Sequence, residues 1–418
     1  MGIISKLVGG FRNQSYSMDD FDVQVRRRIA QQVHSGVNVN EDSAMKFITI
    51  YSCVRVLAET IGSLPLFLYK ERRGGGSDKA YDHPLYDLLY NQPNDEMTTV
   101  TWREQQIGNQ AISGNGYSLI TRNARGVPVD IYPLTWTDVQ SFRDPTDGKI
   151  KYRIMDRGKG EVFPASQVFH TLGMSPDGHN GYSPIRMSAE SIGVGMAAAE
   201  FAARFYGQGM NVGGVLEYPT AMSDKAFTRL KEDLDLHGAG MANSWKPLIL
   251  EEGAKYSRIP MPLNDAQFVE TRKFSRDEIC GLFRVPPHMI ANLERSTNNN
   301  IEHQGIEFVK YSLLSYLIGW EKTINWKLLT PADRQAGYYA KFNVEGLLRG
   351  DYKSRQEGLA IQRQNGVINA DEWRGMEEQN PIGGMDGQAY LVNGNMMPTS
   401  AAQGKQNSGG GGENNSQS

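Results

Sequence analysis

The side chains best able to do chemistry fall into small groups, and none has the spacing of a known catalytic or metal-binding motif. His170, Asp177 and His179 lie in the segment HTLGMSPDGHNGYSP and could outline a metal site. That segment has neither an HExxH pattern nor a carboxylate-rich run, which favours plain turns. His288 and His303 are isolated within RVPPHMIANLERSTNNNIEHQ, which favours solvated or hydrogen-bonded structural roles.

The glycine-rich stretches and the cysteines give no catalytic signal either. GQGMNVGG follows a helical pattern rather than a strand and lacks the Gly-Lys-Ser/Thr end that contacts the β- and γ-phosphates and magnesium. No GxSxG elbow occurs. Cys53 and Cys280 are far apart without CxxC or Cys/His spacing, so neither a disulfide framework nor a zinc site is expected. The sequence therefore predicts no enzymatic activity, no metal and no cofactor.

Length and composition indicate a globular chain that is not strongly basic. Its 418 residues, 39% of them hydrophobic and 22% charged, suffice for two or three domains. A formal net charge of −3 gives no global signature of tight nucleic-acid binding. MGIISKLVGGF lacks a signal-peptide pattern, and the most apolar internal run, residues 313–320, is too short to span a bilayer. We therefore expect a soluble chain made in a reducing compartment.

Hydrophobic periodicity predicts both helices and strands. Apolar residues three or four apart from Phe47 to Ile61 predict a helix, with Asn40 or Asp42 as its cap and Pro65 beyond its end. Residues 117–170 consist of short β-rich runs separated by turns, which predicts an antiparallel region.

A helix from Pro184 to about residue 208, with Ser183 as N-cap, has an unusually small middle that includes Gly193 and Gly195. Each glycine costs a helix about 1 kcal/mol relative to alanine, so another element must pack closely there. The pattern further predicts a compact insert at 213–262, a helix at 265–283, a long helix at 301–329, a strand in YYAKFNVE, two polar helices at 345–379 joined near Asn365-Gly366, and a low-complexity tail from about 396.

Several segments, in their order and spacing, resemble the portal (connector) proteins of tailed bacteriophages, of the short siphophage type. They are YSCVRVLAETIGSLPLFLY, HPLYDLLYNQPNDEMTTVTWRE, SGNGYSLITRNARGVPVDIYPL, SQVFHTLGMSPDGHNGYSPI, RDEICGLFRVPPHMIANLE and FNVEGLLRGDYKSR. The segment INADEWRGMEEQNPI departs from the family's usual Asn-Glu-x-Arg by the inserted Ala370-Asp371, which separates Arg374 from that pattern.

The resemblance implies an α+β portal fold with an α/β wing, a two-helix stem, a small α/β clip and a helical crown, assembled as a ring. The implied divisions are an N-terminal, partly disordered arm at 1–39, the wing at 40–182 and 285–344, stem helices at 183–211 and 264–284, the clip at 212–263, the crown at 345–395, and a disordered tail at 396–418. Within the second wing segment, a tunnel loop occupies about 288–300 and a spine helix 301–329.

The resemblance also implies a function. Usually twelve subunits form the ring, which lies at one capsid vertex of the virion and is assembled in the host bacterial cytoplasm. Double-stranded DNA passes through its centre during packaging and ejection. A terminase motor and, later, a head–tail adaptor dock on the clip, and the major capsid or scaffold protein surrounds the ring. No membrane partner is implied.

The candidate functional residues follow from that assignment. Amides and hydroxyls in the tunnel loop contact phosphates by single hydrogen bonds, whereas rings of Lys or Arg would add salt-dependent affinity and slow the DNA. The tunnel-loop candidates are Arg295, Ser296, Thr297, Asn298, Asn299 and Asn300. The channel-facing stem candidates are Arg272, Lys273 and Arg276, and the terminase- or adaptor-binding clip candidates are Glu232, Asp233 and Asp235. An ordinary solvent loop and a solvated helix face are the alternatives for the first and last groups.

Two other protein classes compete with the portal interpretation. A phage head-maturation protease or a DNA-processing nuclease would need a catalytic cluster, and the sequence shows none. Another head–tail or capsid-shell component is disfavoured by the insertion between the two stem helices and by the long wing helix. Ring symmetry and a metal-dependent nuclease assay distinguish these classes.

Overall fold

The computed structural model describes residues 31–156, 159–208, 214–217, 224–225, 227–228, 255–258, 265–290, 304–344, 347, 352–377 and 379–391. The chain divides into two units, Met1–Val344 and Glu345–Ser418. The described residues of the first unit form a mixture of helices and antiparallel strands, and those of the second form three helices. The α+β class predicted from the sequence is confirmed.

The first unit contains nine described α-helices. They are α1 (Glu41–Met45), α2 (Ile48–Ser63), α3 (Pro84–Tyr90), α4 (Thr99–Ser113), α5 (Pro184–Met187), α6 (Ala189–Gln208), α7 (Asp265–Phe283), α8 (Leu314–Lys327) and α9 (Pro331–Gln335). A π-helical segment, Phe308–Leu313, directly precedes α8. Among the residues that the structure describes, no helix is both long and apolar enough to cross a bilayer.

The described strands of this unit pair only antiparallel. They are β1 (Gln31–Gln32), β2 (Asn38–Val39), β3 (Leu66–Glu71), β4 (Ser77–Lys79), β5 (Asn115–Arg122), β6 (Pro128–Leu134), β7 (Val139–Arg143), β8 (Ile150–Asp156), β9 (Lys159–Pro164), β10 (Val168–Leu172), β11 (Gly214–Glu217), β12 (Lys255–Arg258) and β13 (Tyr338–Phe342). Three-stranded sheets have the orders β10-β5-β6, β13-β3-β4 and β7-β8-β9, and β1-β2 and β11-β12 are two-stranded. The antiparallel region predicted at 117–170 is confirmed.

Aromatic side chains from distant parts of the sequence form the centre of this unit. Trp320 of α8 lies 5.2 Å from Trp102 of α4 and 5.5 Å from Phe169 of β10, measured between ring centroids. Phe342 of β13 lies 6.3 Å from Trp320. The Trp102 indole N–H donates to the hydroxyl of Ser118, so this buried ring keeps a polar partner. Burial of these rings holds helix α8 against α4 and β10.

The helix boundaries differ from the sequence prediction in two places. Asn40 caps the short helix α1 through a capping box with Ser43, and α2 starts anew after Phe47, so the cap belongs to a separate helix. The predicted helix from Pro184 is interrupted at Ser188, although Ser183 is its N-cap as expected. In both places the interruption spans only one or two residues, and periodicity over a longer window does not resolve such a break.

The end of α4 and the start of α5 meet at a junction too tight for side chains. Gly114 adopts φ +78°, a left-handed conformation, and a Cβ at Gly181 would lie 2.0 Å from the Gly114 carbonyl oxygen. Asn115 bridges the two segments, since its Oδ1 accepts from the Gly181 N–H at 2.8 Å. The Ser183 hydroxyl donates to the Ile112 carbonyl at 2.9 Å. Gly114 and Gly181 are therefore required by contact between the two segments.

Residues 31–39 form a hairpin that packs on α6. Gln31 of β1 pairs with Val39 of β2, and Gln32 pairs with Asn38. Val33 and Val39 are buried. The predicted arm, residues 1–39, thus has a structured end in the described range, while residues 1–30 lie outside the described residues.

The second unit contains α10 (Tyr352–Gln364), α11 (Ala370–Met376) and α12 (Gly384–Gln388). Gly366 at φ +67° ends α10, as expected for the predicted Asn365-Gly366 connection. Asp371, one of the two inserted residues, accepts from the Ile382 N–H at 2.6 Å and so fixes the segment before α12. The predicted tail from 396 lies outside the described residues.

Replacing Trp320 with alanine should lower the free energy of unfolding by about 3–5 kcal/mol, because it leaves a cavity among Trp102, Phe169 and Phe342. Ile48 of α2 is 73% exposed, and Ile48→Ala should stay within about 0.5 kcal/mol of the parent. Urea denaturation of both variants measures the difference. Equal losses would mean that the aromatic cluster does not anchor α8.

Replacing Gly181 with alanine should destabilise the protein by about 1–3 kcal/mol, since the new methyl group meets backbone atoms of Gly114 that cannot move aside cheaply. Gly108, inside α4, has open space around its Cβ position, so Gly108→Ala should instead stabilise by about 0.5–1 kcal/mol. Thermal unfolding of the two variants compares them, and a stabilised Gly181→Ala protein would refute the tight junction.

Candidate functional site

Helices α6 and α7, which correspond to the two predicted stem helices, pack against each other. A Cβ at Gly195 of α6 would lie 3.4 Å from Cβ of Ser275, which is buried on α7, and 3.4 Å from the ring of Phe47. A Cβ at Gly193 would lie only 2.4 Å from Val33 of the N-terminal hairpin. The predicted close packing on the small-residue middle of this helix is confirmed, and it occurs within one chain.

The exposed side of the described part of α7 carries charges of both signs. Lys273, Asp277 and Glu278 are exposed. Arg276 is half-buried, with its Nε 3.8 Å from a carboxylate oxygen of Asp277. Two cations and two anions therefore share this stretch, and the fields of opposite charges so close together largely cancel. Of the predicted channel-facing residues, Lys273 and Arg276 lie here, and the side chain of Arg272 is outside the described residues.

The chain leaves α7 through a strained turn at Arg284. Its φ is +54°, the one positive value at a non-glycine residue in the part of the chain that the structure describes. The Val285 N–H donates to the Cys280 carbonyl and the Arg284 N–H to the Gly281 carbonyl, which is the Schellman arrangement that usually has glycine in this position. A left-handed conformation costs a residue with a side chain about 1–2 kcal/mol.

The same turn at the end of α10 uses glycine. There the Val367 N–H donates to the Gln362 carbonyl and the Gly366 N–H to the Arg363 carbonyl, with Gly366 at φ +67°. The arginine at the end of α7 therefore adopts the left-handed conformation at an energetic cost that the glycine at the end of α10 avoids.

Contacts to the π-helical segment hold the Arg284 turn in place. The Ser312 hydroxyl donates to the Arg284 carbonyl at 2.6 Å, and an Arg284 guanidinium nitrogen lies 3.5 Å from the Tyr311 carbonyl. A short 3-10 helix, Pro287–Ile290, follows the turn. π-helical turns are frequent at functional sites. The 3-10 helix contains residues 288–290 of the predicted tunnel loop, and residues 291–300 of that loop lie outside the described residues.

The other predicted site residues lie outside the described residues. These are the tunnel-loop candidates Arg295, Ser296, Thr297, Asn298, Asn299 and Asn300, and the clip candidates Glu232, Asp233 and Asp235. The structure places Lys273 and Arg276 on α7, the helix that leads into the Arg284 turn.

The side chains that could outline a metal site from sequence make hydrogen bonds within the protein instead. His170 lies between the Tyr152 hydroxyl at 3.0 Å from Nδ1 and the Asn115 Oδ1 at 3.1 Å from Nε2. Burial lowers the pKa of His170 to about 3, so the ring is neutral near pH 7. Asp177 accepts from the backbone N–H groups of His179 and Asn180. Within the described ranges, no group of three or more His, Cys, Asp or Glu side chains could hold a metal ion.

A line of apolar side chains lies on the solvent side of α8 and the π-helical segment. Tyr311, Leu314, Ile318 and Trp326 are 60%, 41%, 45% and 68% exposed, respectively. The opposite side of the same helix, with Leu313, Leu317, Trp320 and Ile324, is buried. We call the four exposed residues the outer stripe. Exposed Lys322 lies between Ile318 and Trp326 on this side. Exposed apolar side chains grouped on one face of a helix mark interaction sites.

Sequence reasoning missed three features of this region. The outer stripe was not separated from the buried face, because α8 is apolar on both sides. The left-handed conformation of Arg284 could not be predicted, because glycine is the residue that usually indicates such a helix end. Cys53 and Cys280 were considered unrelated because of their distance in sequence, whereas α2 and α7 pack together and bring the two thiols into contact.

Comparison with known proteins gives consistent matches. The phage portal protein family model matches residues 48–378. The probable portal protein of Streptomyces phage phiC31 is 30% identical over 94% of this chain and 88% of that protein. The portal protein of Enterobacteria phage HK97 is 27% identical over 84% of this chain and 82% of that protein. A solved chain in the neck of a native GTA particle, computed with C12 symmetry, is 19% identical with a TM-score of 0.54 and covers 87% of this chain and 100% of that chain.

The matched range runs from the start of α2 to just beyond α11, and so includes both α6 and α7 as well as the helix with the outer stripe. The structural likeness at low identity indicates a shared fold. The family match covers most of the chain, and the phiC31 relative aligns along nearly all of it. The chain belongs to the phage portal protein family.

Proposed function

We propose that twelve copies of this protein form a ring at one vertex of a phage capsid and that double-stranded DNA passes through its centre during packaging and ejection. The match of the portal family model over residues 48–378 carries this proposal. The similar chain in the C12-symmetric neck of a GTA particle supports the subunit number. Such a ring is part of the virion and is assembled in the host bacterial cytoplasm.

The outer stripe is the surface that we assign to contact with the neighbouring subunit. Tyr311, Leu314, Ile318 and Trp326 present large apolar groups to solvent in a single chain, which is unfavourable unless a partner covers them. Their helix is anchored from behind by Trp320, so the stripe is presented on a rigid support. A ring repeats this contact around a closed circle, as closed rotational symmetry requires.

The charge distribution suits a channel that guides DNA without holding it. A chain of net charge −3 gives a strongly negative ring when repeated twelve times, and that ring repels the DNA polyanion as a whole. The described end of α7 offers balanced charges rather than a row of cations. Few phosphates are then neutralised, so affinity and its salt dependence stay low and the duplex can slide.

The polar loop after the Arg284 turn is the candidate for direct DNA contact. Its neutral residues Thr297, Asn298, Asn299 and Asn300 can each make single, sequence-independent hydrogen bonds to phosphates. The Arg284 turn and the π-helical segment, which are hydrogen-bonded to each other, lie on either side of this loop in the sequence. In this proposal Arg272, Lys273 and Arg276 also face the channel.

The remaining partners follow from the same role. The clip, at 212–263, receives the terminase motor and later a head–tail adaptor, with Glu232, Asp233 and Asp235 as candidate contacts. The major capsid or scaffold protein surrounds the ring. The motor supplies the energy of packaging, and the ring itself catalyses no reaction in this proposal.

Electron microscopy of the purified protein tests the ring. We expect closed rings whose central opening admits B-form DNA; the subunit number of a recombinant ring can differ from twelve without affecting the conduit. A compact monomer at all concentrations, or a closed assembly whose opening is narrower than the duplex in every state, would contradict the proposal.

Charges in the outer stripe should prevent assembly without unfolding the chain. In Leu314→Glu/Ile318→Glu, the new carboxylates stay solvated in the monomer but would be buried without partners in the ring, which costs several kcal/mol per contact. Analytical ultracentrifugation should show a shift from rings to monomers, with an unchanged far-ultraviolet circular dichroism spectrum. Val100→Glu, at a helix position of similar exposure away from the stripe, is the control and should still form rings.

Changes in the polar loop should affect DNA movement and leave the ring intact. Replacing Asn298, Asn299 and Asn300 with alanine should impair DNA packaging, because the phosphate contacts are lost. Replacing the same three with lysine should slow packaging at low salt, with recovery as salt is raised. The matched control replaces Asn407, Asn414 and Asn415 of the tail with alanine. Parental packaging rates in both loop variants would remove the guiding role.

A further inference from the structure

Two buried thiols meet where α2 packs against α7. Cys53 lies in the middle of α2 and Cys280 in the last turn of α7, and their exposed fractions are 0% and 2%. Both are free thiols. The two helices are in contact, and the thiols are hydrogen-bonded to each other. Their sulfurs are therefore neighbours, although the two residues are more than two hundred positions apart in the sequence.

The environment makes the two thiols unequal. The hydrogen bond from Cys53 lowers the pKa of Cys280, with Arg276 adding to the effect, while burial and the charge of Asp277 oppose it. The same hydrogen bond, together with burial, raises the pKa of Cys53. A thiolate rather than a thiol is the nucleophile, so Cys280 is the sulfur better prepared to react first.

The position of Cys280 gives a bond at this point mechanical consequences. Its carbonyl accepts the Val285 N–H that closes the turn at Arg284, and Ser312 holds the other side of that turn. A covalent bond from Cys280 to α2 would tie the end of α7, and with it the turn before residues 291–300, to a helix of the central packed core. The constraint would act on the junction where the chain leaves α7.

We propose that Cys53 and Cys280 form a redox-modification site, at which an oxidant of the peroxide class converts the two thiols into a disulfide that locks α7 to α2. This site is contained in one chain and does not depend on the ring proposal. In the reduced state of a bacterial cytoplasm the pair stays as thiols, and oxidation becomes possible outside it.

The reaction balances in two steps. The Cys280 thiolate attacks one peroxide oxygen, the O–O bond breaks, hydroxide leaves, and Cys280 becomes a sulfenic acid. Cys53 then attacks that sulfur, the S–O bond breaks, and a second hydroxide takes the Cys53 proton and leaves as water. Overall, two thiols and one hydrogen peroxide give one disulfide and two waters. The two electrons pass from the thiols to the peroxide.

Burial sets how fast this happens. Because both sulfurs are nearly inaccessible, the oxidant must reach them through a local opening of the end of α7. Oxidation should therefore be slow in the folded protein and faster in mild denaturant. Once formed, the disulfide prevents this local opening and so holds the end of α7 against α2.

The test treats the purified full chain with hydrogen peroxide, and then with dithiothreitol in a second sample. We expect non-reducing peptide mapping to find Cys53 joined to Cys280 within one chain, at the mass of the two peptides less two hydrogens, and dithiothreitol to reverse it. Hydrogen exchange of residues 281–290 should slow at least several-fold in the oxidised protein. Cys53→Ala, treated in parallel, should show no such slowing.

Three results would overturn the inference. The first is recovery of both thiols, unreacted, after exposure that oxidises control thiols. The second is oxidation that yields only sulfinic acid or links between chains. The third is a disulfide that forms with unchanged hydrogen exchange at 281–290, which would remove the lock. If Cys53→Ala is unstable, the oxidised parent chain before and after dithiothreitol treatment still tests whether the disulfide slows hydrogen exchange. Ring formation, followed separately by electron microscopy, distinguishes failure of this site from failure of the proposed function.

Discussion

The packing of Trp320 against Trp102 and Phe169 is the interaction on which the rest of the first unit depends. It joins α8 to α4 and β10, and so closes a core from segments that the sequence separates widely. Lys327 extends the same contact, because its ammonium donates to the Ala165 carbonyl and its own carbonyl accepts from Arg122. Burial lowers the pKa of Lys327 to about 8, which reflects how far the α8 end is enclosed. Without this core, neither the start of α6 nor the end of α7 would have a fixed support.

The start of α6 and the end of α7 are anchored on the same core, by different means. At the start of α5 and α6, Gly181 lies against Gly114, and Arg186 makes a bidentate ion pair with the buried Glu41 at 2.7 Å and 3.3 Å. At the end of α7, apolar contact with α2 and the Ser312 hydrogen bond hold the Arg284 turn. The first anchor depends on backbone contact and cannot adjust. The second contains a strained residue and two thiols, so any change in how α7 leaves the core is expected at this end.

A portal role places opposite demands on the two sides of this structure. Contacts between subunits must be strong, which suits the large apolar groups of the outer stripe presented on a rigid helix. Contacts to DNA must be weak and independent of sequence, which suits balanced charges on α7 and a neutral loop after it. In the proposed ring, the surface for assembly lies on α8 and the π-helical segment, and the candidate loop for DNA follows the Arg284 turn.

The sequence by itself determined the α+β class, the antiparallel region at 117–170, the Ser183 cap and the need for close packing at Gly193, because each is a local pattern of periodicity, capping or side-chain size. Its ordered motifs also pointed to the right family. The tertiary structure alone decided that Val33 packs on Gly193, that Cys53 meets Cys280, that one face of α8 remains exposed, and that Arg284 takes a left-handed turn. These depend on which distant surfaces come together. A local pattern states that a face is apolar or that space is tight, and only the folded chain specifies what fills it.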